Sequence, residues 1–206
     1  MSIPKIVGIE QEYAIKIANA ADLSAFHASC ALVNAYAMYI SRTKDDVDLV
    51  LAGRITDVTY YERLCRQIKE LNLENRVHFP GFVPNDRLPP LYAHARCFVY
   101  PSRAEAQPNP PIEAMACGAP MVCSNTTSIP EICGDAALYF QPEDTEELAD
   151  KIQQVMQNPK LRESLVALGG ERVKMFSWER GVKVILQMLQ ESADKQKKST
   201  FQKARR

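Results

Sequence analysis

Cys97-Phe-Val-Tyr-Pro-Ser-Arg-Ala-Glu105-Ala-Gln-Pro-Asn-Pro-Pro-Ile-Glu113-Ala-Met-Ala-Cys-Gly118 leaves an apolar strand, turns through a proline-rich loop and enters a short helix. Residues 97–100 are continuously apolar and stop at Pro101, and the helical run that begins near Ile112 stops at Gly118. Two carboxylates, Glu105 and Glu113, bracket the passage. In open α/β folds the crevice beyond the carboxyl ends of the strands is where ligands bind. A helix entry there adds backbone N–H groups and a partial positive charge, which suit phosphate. Carboxylates accept paired hydrogen bonds from vicinal hydroxyls. Phosphate-binding groups between two such carboxylates would suit a sugar at one end and a ribose at the other. The plainer alternative is a loop glutamate in water and a helix glutamate in a salt bridge. On spacing alone that alternative is the commoner case.

Working outward, short apolar runs alternate with amphipathic segments. Residues 47–52, 77–79, 97–100, 120–123 and 137–140 are predicted strands. Residues 59–73, 86–95, 111–117 and 128–133 are predicted helices or helical turns. Continuous rather than alternating apolar strands predict a sheet covered on both faces, and strand–helix alternation predicts that it is parallel. The fold class expected is α/β, a Rossmann-like parallel sheet flanked by helices. Three helices follow. Asp144 caps the first with Glu147 three residues on, and Leu148, Ile152, Val155 and Met156 form one stripe. Pro159 opens the second. Ser177 caps the third, with Val182, Ile185, Leu186 and Leu189 on one face. Trp178 is expected to anchor that helix against the domain.

Composition excludes several classes. Basic and acidic residues balance at 25 each, so no net field points to nucleic acid or an anionic membrane. No apolar run approaches the ~20 residues that span a bilayer, and no signal-peptide pattern opens the chain. The six cysteines, at 30, 65, 97, 117, 123 and 133, form no C-x-x-C pair. They read as free thiols of a reducing cytoplasm rather than zinc ligands. His78 and His94 read as packing or surface residues.

Residues 47–192 resemble the C-terminal half of retaining, nucleotide-sugar-dependent glycosyltransferases of the family 4 type. Asp48-Leu-Val-Leu-Ala-Gly53, Asn75-Arg-Val-His-Phe-Pro-Gly-Phe-Val83, Leu91-Tyr-Ala-His-Ala95, Phe98-Val-Tyr-Pro-Ser102, the Glu105–Glu113 stretch, Ser124-Asn125, Ile129-Pro-Glu131 and Phe176-Ser-Trp-Glu-Arg180 carry the resemblance. It implies a domain over residues 39–192 that binds a nucleoside diphosphate sugar, with neither metal nor other cofactor. Glu105 would hold hydroxyls of the donor sugar beside the reacting carbon, and Glu113 the ribose hydroxyls. Backbone N–H groups of Gln107, Asn109 and Ile112 would face sugar and diphosphate, and Gly81, Phe82 and Val83 would border the base. The acceptor would be held by an N-terminal domain or a partner subunit. This sequence departs from the family at Ala106 and Pro108, where glycines are usual. Alanine resists positive φ, and proline fixes φ and removes a donor.

The opening Met1-Ser-Ile-Pro-Lys-Ile-Val-Gly-Ile-Glu-Gln-Glu-Tyr-Ala-Ile15 resembles a different family, the ligase and deamidase of the prokaryotic ubiquitin-like protein. There a Gly-x-Glu-x-Glu-Tyr strand supplies carboxylates near magnesium–ATP, and Glu10 and Glu12 match by position. Residues 28–37 resemble that family's next helix, and residues 33–42 also resemble the first helix of the glycosyltransferase domain. Residues 1–38 are therefore expected to be a fused segment, its strand over residues 6–15 loosely packed and suited to the place of the missing strand or to an exposed sheet edge. The fusion would remove a loop that in the family clamps the diphosphate with arginine and lysine. No Gly-x-Arg with a following Lys-Gly precedes Leu49, and Arg54 follows the wrong strand. The chain alone is not expected to turn over. The alternatives are an ATP- and magnesium-dependent carboxylate–amine ligase or amidase, and a non-catalytic α/β module that pairs with another subunit. Residues 193–206 are expected to be a disordered basic tail.

Overall fold

The computed structural model describes residues 5–9, 25–55 and 57–203. Among these, β1 (Lys5–Ile9), β2 (Asp48–Ala52), β3 (Val77–Gly81), β4 (Ala95–Tyr100), β5 (Met121–Ser124) and β6 (Ala137–Phe140) form one sheet in the order β3-β2-β1-β4-β5-β6. Every neighbouring pair is parallel, as the strand–helix alternation predicts. The order reverses between β1 and β4, the switch point at which a crevice opens beyond the strand ends.

The strands are apolar along their length because both faces are covered. Leu49, Cys97, Phe98, Val99, Met121, Val122 and Cys123 are fully buried. Helices α1 (Ala25–Thr43), α2 (Val58–Glu70), α3 (Leu88–Ala93), α4 (Asn109–Ala116), α5 (Ile129–Cys133), α6 (Thr145–Gln157) and α7 (Pro159–Val173) supply the cover. α1 packs against α2 and α6, while α4 packs against α3, α5 and α7. The α6 stripe of Leu148, Ile152, Val155 and Met156 is buried as its spacing requires. Arg42 at the end of α1 reaches Asp150 of α6 at 2.6 Å.

The helix ends follow their caps. Asp57 accepts from Tyr60 N–H at 3.0 Å, so α2 starts before residue 59. Asp144 accepts from Glu147 N–H at 2.8 Å, but the Glu147 carboxylate takes the Gln141 N–H rather than closing the reciprocal box. The Asp144 N–H is already given to Gln141 O at 2.8 Å, which leaves Glu147 free to reach further back. α3 is shorter than predicted, with prolines in its first turn, and β4 begins at Ala95 because Lys5 of β1 pairs there.

Of the two places open to the N-terminal strand, β1 takes that of the missing strand rather than an added edge: it lies between β2 and β4, paired to both. α1 supplies core residues, with Leu32, Val33, Ala35, Tyr36 and Tyr39 almost wholly buried. The Tyr36 hydroxyl donates to Val47 O at 2.6 Å, fixing α1 at the entry to β2. Glu10 and Glu12 lie outside the described residues.

Residues 174–206 form a second unit, consisting mainly of α8 (Trp178–Lys203). The helix runs on through most of the basic tail that was expected to be disordered. Within this unit Trp178, Val182, Ile185, Leu186 and Leu189 are exposed. No helix among the described residues is long and apolar enough to cross a membrane.

Candidate functional site

Parallel strands bring their carboxyl ends to one edge of the sheet. Glu105 lies just past β4 and Glu113 in the middle of α4, the helix entered from the same loop. Both are half-buried. The sequence spacing thus brings the two carboxylates to the switch-point edge, as their positions predict.

Each carboxylate is tied through one oxygen. The Tyr100 hydroxyl donates to Glu105 Oε1 at 2.6 Å, and the Ser102 hydroxyl donates to the same oxygen at 2.7 Å. The Tyr92 hydroxyl donates to Glu113 Oε2 at 2.9 Å. Both tyrosines are almost wholly buried, and both pack on Phe98: Tyr92 edge-on at 5.4 Å, Tyr100 stacked at 6.2 Å. Ring packing sets the hydroxyls, and the hydroxyls set the carboxylates. Burial first, then the adjacent carboxylate, pushes both phenols well above the ordinary tyrosine value, so they remain donors at neutral pH. Among the described residues, Glu105 Oε2 and Glu113 Oε1 accept no hydrogen bond.

Between the carboxylates the loop is stiff. Gln107 and Asn109 are exposed and Ile112 is half-buried. Pro108 is the N-cap of α4 and Asn109 its first residue, so Asn109 and Ile112 carry the N–H groups of the first turn while Pro110 and Pro111 carry none. The loop after β5 crosses it. Thr127 Oγ1 accepts from Glu105 N–H at 3.0 Å, Ser128 donates to Glu105 O at 3.0 Å, and Thr126 donates to Arg103 O at 3.2 Å. The buried Ser124 hydroxyl donates to Ser102 O. Arg103 in turn pairs with Glu143.

Gly81, Phe82 and Val83 lie at the same edge but at the end of β3, on the far side of β2 and β1 from Glu105. Strands spaced about 4.8 Å apart put these two ends roughly 14 Å from each other, so the two groups flank the crevice without touching. Gly81 has φ +71, which glycine adopts without strain, and its carbonyl accepts from Gly53 N–H at 3.1 Å. The Arg54 guanidinium stacks over the exposed Phe82 ring at 4.3 Å. Arg54 therefore reaches this edge even though it follows β2.

Sequence reasoning missed Tyr92, Tyr100, Ser102 and the hydroxyl residues after β5. A tyrosine in an otherwise apolar strand was the available signal for Tyr100, since a buried phenol needs a partner. Among the described residues no group of three or more His, Cys, Asp or Glu side chains gathers to hold a metal ion.

A model of the family described as glycosyl transferases group 1 matches residues 31–172. O-antigen chain mannosyltransferase B of Escherichia coli is 40% identical over 151 residues, which are 72% of this chain and 38% of that protein. A sucrose-phosphate synthase from Thermosynechococcus elongatus superposes with a TM-score of 0.78 at 25% identity, over 94% of this chain and 46% of that one. The C-terminal domain of a glycosyl transferase group 1 family protein from Francisella tularensis superposes with a TM-score of 0.69 at 21% identity, covering 84% of this chain and 87% of that domain. The chain thus spans less than two fifths of the length of the mannosyltransferase it matches.

Proposed function

The chain belongs to the glycosyl transferases group 1 family, and we propose that its switch-point edge binds a nucleoside diphosphate sugar for retaining, family 4-type transfer to an acceptor hydroxyl. The observation that carries this is the state of the two carboxylates. Each is held through one oxygen by a buried tyrosine, with the other oxygen accepting nothing among the described residues. An anchored carboxylate offers a fixed acceptor to a sugar diol, and the ordering is completed before the ligand arrives.

In this proposal Glu105 accepts from hydroxyls of the donor sugar beside the reacting carbon, and is the catalytic residue. Glu113 accepts from the ribose hydroxyls. The N–H groups of Gln107, Asn109 and Ile112 face the sugar and diphosphate. Gly81, Phe82 and Val83 border the base, with Arg54 stiffening Phe82. The mannosyltransferase relative supports mannose as the sugar carried. Six cysteines outside any disulfide support a cytoplasmic setting.

The residues that follow β1 weaken the diphosphate site. Between Ile9 and Ala25 the sequence holds Lys16 as its one base, against Glu10, Glu12 and Asp22. That stretch, next to the switch point in the chain, supplies no arginine to a diphosphate. We therefore propose that the 206-residue chain by itself holds the donor weakly and does not complete the transfer.

Calorimetric titration with uridine, guanosine and adenosine diphosphate sugars, mannose forms included, tests the reading. At least one should bind in the high micromolar to millimolar range, equivalent to about 4–6 kcal/mol. Glu113→Ala should abolish that binding. Glu105→Ala should leave binding of the bare nucleoside diphosphate intact. Undiminished binding by Glu113→Ala would overturn the assignment, and brisk transfer by this chain alone would overturn the inactivity.

A further inference from the structure

We propose that the loop after β5 is the positioning element for Glu105, and that Thr127 is its key residue. The proposal rests on the donor-binding reading above, since it concerns how the sugar-facing carboxylate is aimed. Across residues 124–128, four hydroxyls engage the backbone on either side of Glu105. Ser124 donates to Ser102 O, Thr126 to Arg103 O and Ser128 to Glu105 O, while Thr127 accepts from Glu105 N–H. Both peptide groups that flank the Glu105 Cα are thereby fixed. The side chain can then leave the backbone in the direction that meets Tyr100 and Ser102.

Thr127 does this at a cost to itself. Its φ is +48, in the left-handed region that a β-branched residue rarely occupies. Ile129 N–H returns to Thr126 O at 3.2 Å, and Ser128 has φ −84, so Thr127 and Ser128 are the central residues of a tight turn with the φ signs of type II′. Glycine is the usual residue at the place Thr127 holds. The turn is kept by its surroundings: Asn125 N–H is fixed to Phe140 O at 2.8 Å, and Ile129 is fully buried. A residue held against its backbone preference, with its hydroxyl on the Glu105 amide, is strain placed beside a reactive carboxylate. Within the β4–α4 loop Ser102 holds the Glu105 carboxylate, while the Glu105 N–H and C=O take their partners from the loop after β5.

Thr127 is assigned as a positioning residue, acting through its contact with Glu105. Three variants separate this from simple loop cross-linking. Thr127→Ser keeps the acceptor. Thr127→Val keeps the shape and removes it. Thr127→Gly removes it and relaxes the turn. Amide hydrogen exchange at Glu105, read by NMR, follows the contact without any ligand. Calorimetry follows the affinity ratio of a nucleoside diphosphate sugar to the bare nucleoside diphosphate. We expect Thr127→Ser to match the parent chain in both. Thr127→Val and Thr127→Gly should lose Glu105 amide protection and shift the ratio about fivefold or more against the sugar nucleotide, the loss of one well-placed contact. Bare diphosphate affinity should stay within about twofold. Thr127→Gly should melt no lower than the parent chain, because the left-handed turn no longer holds a branched side chain. Unchanged Glu105 protection and an unchanged ratio in Thr127→Val and Thr127→Gly would overturn the proposal. So would a parallel fall in both affinities and in melting temperature. If the parent chain binds neither ligand, the donor reading fails, and with it the aim claimed here for Glu105. Its protection in Thr127→Val would then judge the Thr127 contact alone.

Discussion

The buried Tyr92 hydroxyl donates to the Glu113 carboxylate at 2.9 Å, joining α3 to α4 across the edge where the strands end. Tyr92 packs on Phe98 of β4, so the sheet core and the carboxylate are linked through one side chain. Removing only the hydroxyl should loosen Glu113 without opening a cavity. Tyr92→Phe is expected to weaken nucleoside diphosphate binding by about 1–2 kcal/mol, roughly tenfold, measured by titration calorimetry. Its unfolding free energy should fall by no more than about 1.5 kcal/mol. Affinity that survives intact would mean the tyrosine serves only the fold.

Alkaline pH should unfold the protein through its buried phenols. Tyr36 is pushed from 10.0 up to about 12, chiefly by burial, and Tyr39, Tyr92, Tyr100 and Tyr139 are raised further for the same first reason. Burial also takes the Cys97 thiol from 9.0 to about 12. An unfolded chain releases these protons first, so it binds fewer than the native state between the two values. Stability from these groups is fully present below pH 9.0, starts to fall with Cys97 and then falls more steeply above 10.0. Denaturant midpoints measured across this range should drop, and phenolate absorbance should rise in step with unfolding. Early, independent ionisation of Tyr36, Tyr39, Tyr92 and Tyr100 would contradict their burial.

The sheet was readable because its strands are covered on both faces, which leaves residues such as Leu49, Val99 and Val122 no polar alternation to hide behind. Asp144 was readable because a cap is a local contact three residues long. Glu105 and Glu113 were readable as a pair because one loop carries both. What holds them was not. Tyr92 meets Glu113 across 21 positions, and Thr127 meets Glu105 across 22. Such partners are fixed by how β4, β5 and α3 assemble, which no local period encodes. The place of β1 was left open between the missing strand's position and an edge for the same reason: apolar content marks a strand but not its place in the order.

Ile152 offers the sharpest test of the core. It is fully buried in the middle of the α6 stripe, and α6 packs against α1, α7 and three strands. Ile152→Ala removes three carbons where little can collapse into the space. Its cost is expected to be about 2–5 kcal/mol in urea denaturation. A loss well under 1 kcal/mol would show that α6 is not packed as described.

Hydrogen exchange bears on whether the N-terminal strand belongs to the sheet. A loosely added segment would open ahead of its neighbour, as the fused-segment expectation requires. β1 instead pairs with β2 over Lys5–Ile9 and with β4 from Lys5 to Gly8. A strand between two others cannot leave without unpairing both, so its exchange should follow the wider unfolding of the sheet rather than local fraying. β3 is the edge strand beside β2, with a ladder on one side only. The amides of Val7 and Gly8 should therefore exchange at rates close to those of Val50 and Val99, and more slowly than that of His78 at the edge. Native-state exchange in increasing denaturant, read by NMR, would resolve these amides. If Val7 and Gly8 opened well before Val50 at low denaturant, β1 would be an attached segment and the sheet would close without it.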